Sequence, residues 1–138
     1  MAKSIVVSRL TAASLLILFL SSCVEKISDH TDEVYTLWSG EKPTSEVKII
    51  HGKYWESAHW SKEYIIFLEM KACKDWVDAF VKENHLVPDT SGIGIAKHPD
   101  WFTPSKGFLV FRKENDFSGL RYYFNLKEDH VFIYEARL

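Results

Sequence analysis

The chain is 138 residues long, 46% apolar and 14% aromatic, with 17 basic and 19 acidic side chains and a formal net charge of −2. That balance argues against a nucleic-acid surface, and it gives no electrostatic attraction to anionic lipid. The length allows one domain, large enough to bury a core without staples.

The first elements are those of an export leader. Lys3 and Arg9 supply a basic start, Leu10 to Leu20 carries no charge, and Ser21 and Ser22 follow. A basic start, an apolar middle of roughly 7–15 residues and small residues before a cut make a secretory signal. A spanning helix needs about 20 apolar residues, and here it would run into Glu25 and Lys26. The tetrapeptide Leu20-Ser21-Ser22-Cys23 resembles the lipobox of bacterial lipoproteins. In that family the cysteine thiol receives a diacylglycerol, the chain is cut before it, and the new amino group gains a further chain. The resemblance implies that residues 1–22 are removed, that Cys23 is lipidated, and that the protein is held in the cell envelope. Val24 rather than Asp follows the cysteine. In a Gram-negative host this implies the outer membrane, facing the periplasm. An ordinary leader cut nearby is the alternative.

The leader holds two basic residues and no acidic one, so the mature chain keeps 15 basic against 19 acidic residues, a net −4. Residues 23–45 read as the lipidated Cys23 and a polar tether, ending in Ser39-Gly40-Glu41-Lys42-Pro43. Val34, Tyr35, Leu37 and Trp38 interrupt that polarity, either as a short docked segment or as part of a disordered one.

Residues 46–138 form the expected domain. Val47 to Ile50, continuing to Trp55 across Gly52, reads as a strand, and Tyr64 to Leu68 as a second with both faces apolar. Cys73 to His85 predicts a helix with Trp76, Val77, Phe80 and Val81 on one stripe, stopped before Pro88. Residues 86–107, punctuated by Pro88, Gly92, Gly94, Pro99, Pro104 and Gly107, read as a loop. Phe108 to Arg112, Leu120 to Leu126 and Val131 to Ala136 close the chain as three hairpin-linked strands. The order ββαβββ predicts an α+β fold, an antiparallel sheet of about five strands with one helix on one face.

Chemistry is sparsely signalled. Six histidines occur without His-x-His, His-Glu-x-x-His or Cys-x-x-Cys spacing, so neither a metal nor a cofactor is expected. Ser91-Gly92-Ile93-Gly94 is neither a nucleophile elbow nor a phosphate cradle. Cys73 is the one thiol left after Cys23, which rules out an internal disulfide. It reads first as a small buried residue, with intermolecular pairing or thiolate reactivity as alternatives.

Aromatic side chains are the conspicuous feature. Tyr54, Trp55 and Trp60 cluster at the first hairpin, and Trp101-Phe102 sits between Pro99 and Pro104. These five are the candidate binding residues. The opposing reading is that Trp101 tucks onto the sheet and pins the loop. The expected function is a lipid-anchored, non-catalytic binding module with a protein partner, of the kind that includes immunity proteins neutralising a delivered toxin. A binder of peptidoglycan or another envelope glycan is the alternative, followed by a small hydrolase using Cys73 or paired histidines.

Overall fold

A computed structural model describes residues 24–115 and 119–138. The leader, Cys23 and part of the turn expected between Asn115 and Gly119 lie outside these residues. Among them the fold is α+β: one antiparallel sheet of seven strands with two short helices. The elements are β1 (Lys26–Ser28), α1 (Thr31–Ser39), β2 (Val47–Glu56), β3 (Tyr64–Ala72), α2 (Lys74–Glu83), β4 (Leu86–Pro88), β5 (Leu109–Lys113), β6 (Arg121–Asn125) and β7 (His130–Arg137). In space the strands run β1-β2-β3-β7-β6-β5-β4. Consecutive strands pair antiparallel except β3 and β4, which lie apart because β7 returns to β3 and closes the middle of the sheet.

Both faces of β3 are apolar because both faces of the sheet are covered. Ile66, Leu68, Met70 and Ala72 point to the helices and pack with Ile133 and Val131 of β7 and Tyr122 and Phe124 of β6. The stripe of α2 lies against this layer. Trp76 stacks on Phe80 at 5.1 Å, and Phe80 meets Tyr122 edge-on at 5.5 Å. The polar tips of this layer are satisfied at one carboxylate. Glu135 Oε1 accepts from Tyr122 Oη at 2.6 Å and from Trp38 Nε1 at 3.0 Å.

Three elements exceed the ββαβββ expectation. Within the segment read as a tether, β1 pairs with the end of β2, and α1 buries Val34 and Tyr35 in the core. Asp32 and Glu33 occupy the first turn of α1, and Gly40 ends it at φ 80°, donating its N–H to Thr36 O at 2.9 Å. α1 lies close on β2 because position 52 is glycine: a Cβ there would stand 2.9 Å from Val34 Cβ. The docked reading of Val34 to Trp38 therefore holds. The third addition, β4, extends the far edge at the start of the long loop. Among the described residues no helix is long and apolar enough to cross a membrane.

Candidate functional site

The long loop covers the sheet face opposite the helices, and the site lies where the two meet. A turn in which Phe102 N–H donates to Pro99 O at 2.9 Å turns Phe102 into the sheet. Phe102 is 2% exposed and touches Phe67 at 5.1 Å and Phe132 at 5.2 Å, both ring contacts edge-on. Phe108 adds a contact to Phe132 at 5.4 Å. A loop about 20 residues long is usually functional or disordered unless packed down, and this one is packed by rings.

Beneath the loop lies a row of three titratable side chains. β2 and β3 shift register between Ile49 and His51, so Ile50 is an extra residue on its strand. The bulge moves His51 from the helix face to the loop face, directly opposite Glu69. His51 Nδ1 is 2.6 Å from Glu69 Oε2, and His130 Nε2, from β7, is 2.8 Å from Oε1 of the same carboxylate. The Glu69 side chain is 12% exposed, so two imidazole partners offset its burial. The ring faces are occupied as well. Trp101 stacks on His51 at 5.0 Å, while His130 stacks on Phe132 at 4.8 Å and meets Phe108 edge-on. The row thus ties three strands, β2, β3 and β7, and the loop together. Among the described residues no group of three or more His, Cys, Asp or Glu side chains is arranged to hold a metal ion.

Beside this row, loop residues 95–99 stand off the sheet and leave an open cleft of about 490 Å³. Ile65, Phe67 and Tyr134 form its apolar floor, Ile95 one wall, and Lys53 and Lys97 its cationic rim. A smaller cavity of about 290 Å³ lies at the loop's start, beside the buried pair Asp89–Arg121.

The expected site residues are dispersed by this arrangement. Phe102 is a core residue of the loop face, not a recognition surface, because the turn at Pro99 aims it inward. Trp101 is half-buried on His51, so the pinning reading of the pair holds. Tyr54 is buried on the helix face, donates to Glu56 at 2.6 Å and stacks on Tyr64. Burial, together with that carboxylate, pushes its hydroxyl pKa up. Trp55 is half-buried on the loop face and donates to Glu25. Only Trp60 of the five is fully exposed, at the tip of the β2–β3 hairpin. Cys73, expected to be buried, is exposed instead: it stands at the N-cap position of α2, one residue beyond β3, with no side-chain bond to the helix. Glu69 was missed. Its signal is one carboxylate within the otherwise apolar run Tyr64 to Met70, where burial obliges it to find partners. No protein-family model, curated protein or solved structure matches this chain.

Proposed function

We propose that the protein is a lipid-anchored component of the bacterial envelope that holds a protein partner without performing catalysis. The anchor is Cys23 in the lipobox-like Leu20-Ser21-Ser22-Cys23. Two or three acyl chains at about 0.8 kcal/mol per buried CH₂ would give stable attachment where one chain is marginal. The carrying observation for binding is the cleft between loop residues 95–99 and the sheet, with its apolar floor and its rim of Lys53 and Lys97. Preformed concave sites with few polar groups are the usual form of a binding site. The chemistry fits a segment with an apolar side chain and a neighbouring acidic group. The His51–Glu69–His130 row supports a structural reading, because one carboxylate holds both imidazoles and each imidazole stacks on an aromatic ring, Trp101 on His51 and Phe132 on His130.

A photo-crosslinker placed at Ala96 tests the reading in envelope preparations. A discrete protein adduct is expected, lost in Ile95→Asp and weakened in Lys97→Glu. Adducts that survive both substitutions would remove the cleft from the proposal. Sedimentation of the purified domain with sacculi would point instead to an envelope glycan.

A further inference from the structure

Of the six exposed large apolar side chains among the described residues, four gather at one end of the sheet: Val24, Ile27, Trp60 and Leu138. The register explains the grouping. Lys26 pairs with Glu56 and Ile27 with Trp55, so β1 begins beside the β2–β3 hairpin that carries Trp60. Tyr64 pairs with Arg137, which brings Leu138 to the same end. Trp55 donates to Glu25 and fixes the incoming chain there. A stable fold gains nothing from leaving these groups in water, and a clustered apolar patch marks an interaction surface.

We propose that this end of the sheet docks on the lipid bilayer interface, with Trp60 and Ile27 inserted at headgroup level. The inference rests on the anchor proposed at Cys23. Only Val24 and Glu25 separate that cysteine from β1. At roughly 3.3–3.6 Å per extended residue, the three steps from Cys23 to Lys26 reach about 10–11 Å at most. That distance is shorter than any protein domain is thick, so no partner fits between this end and the membrane. It also matches the roughly 5–10 Å to which apolar faces sink into the interface. Trp is favoured there, since its ring is apolar and its N–H wet. The flanking charges are mixed, Lys26, Lys62 and Arg137 against Glu25, Glu56 and Glu63, so apolar insertion rather than attraction to anionic lipid makes the contact. Docking would hold the binding cleft, whose lining includes Leu138, just above the membrane surface.

The test uses the protein purified from membranes with its own acyl groups, reconstituted into phosphatidylethanolamine–phosphatidylglycerol vesicles containing brominated phosphatidylcholine. Bromine at shallow depth is expected to quench tryptophan emission. Trp60→Phe should remove most of the quenchable component, whereas Trp76→Phe, on α2 beyond the opposite end of β3, should leave it intact. Vesicle-anchored protein whose emission is equally quenched in wild type and Trp60→Phe would overturn the docking. An N-terminal peptide without acyl mass would overturn the anchor itself, and the docking with it.

Discussion

Asp89 starts the long loop as an anion in a place where an isolated charge could not stay. Its side chain is 4% exposed, and Oδ2 lies 2.5 Å from Arg121 Nε, itself 6% exposed. Burial alone would raise its carboxyl pKa. Hydrogen bonding from Ser91 and the charges of Arg121 and Arg112 outweigh it and bring the pKa below the ordinary 3.8. A carboxyl depressed on folding contributes stability that is complete above its unfolded value and lost as pH falls through the folded one. Acid unfolding should therefore deepen below about pH 3.8 in the wild type, and Asp89→Asn should flatten that limb of the stability–pH curve. At neutral pH the same substitution leaves Arg121 without its counter-charge and is expected to cost about 3–5 kcal/mol by urea titration. Neither partner announces the pair, because the 31 positions between them are closed up only by β4, β5 and β6 lying side by side. Cys73 shows the same limit at one position. The average habit of cysteine says buried, and its place one residue beyond β3 decides otherwise.

At the scale of elements, the segment upstream of Glu46 is the one whose role the structure changes most. α1 contributes Val34 and Tyr35 to the core and Trp38 to the Glu135 hydrogen bonds, and β1 covers the edge of β2. Each buried apolar side chain of this size stabilises by about 1.5–3 kcal/mol, against a total of about 5–15 kcal/mol for a domain. Deleting residues 24–39 should therefore abolish the cooperative thermal transition followed by circular dichroism, whereas cutting a solvated tether would leave it unchanged. The longer elements were legible because period and burial agree in them. β3 reads as a doubly covered strand, the stripe of α2 as a helix, and β2, β5, β6 and β7 fall within a residue or two of expectation. α1 was obscured by its nine residues and by polar flanks on both sides, although Val34, Tyr35 and Trp38 at i, i+1 and i+4 before Gly40 carry the helical pattern. β1 and β4, three residues each, are too short for any alternation, and β4 ends in Pro88.

For the molecule as a whole, the sheet separates two cores that differ in how they are roofed. The helix face is closed by regular elements, the loop face by rings hung on an irregular chain. Local opening free energies should follow that division. The central strands β3 and β7 are flanked by neighbours on both sides, so their amides should exchange with deuterium only through global unfolding. Edge strands β1 and β4, three residues long and paired on one side, should exchange through local fraying. The loop should behave as a separate unit hinged on Phe102, the ring most deeply set among Phe67, Tyr123 and Phe132. Phe102→Ala is expected to cost about 3–5 kcal/mol, the range for emptying a buried aromatic site. Two outcomes by mass-spectrometric exchange then separate the possibilities. If the loop face is a semi-independent roof, amides of residues 99–108 lose protection in the variant while β3 and β7 still exchange last. If the two cores form one cooperative unit, protection falls by the same free energy everywhere, because β3 and β7 supply alternate side chains to both: Leu68 and Ile133 to the helix face, Phe67 and Phe132 to the loop face.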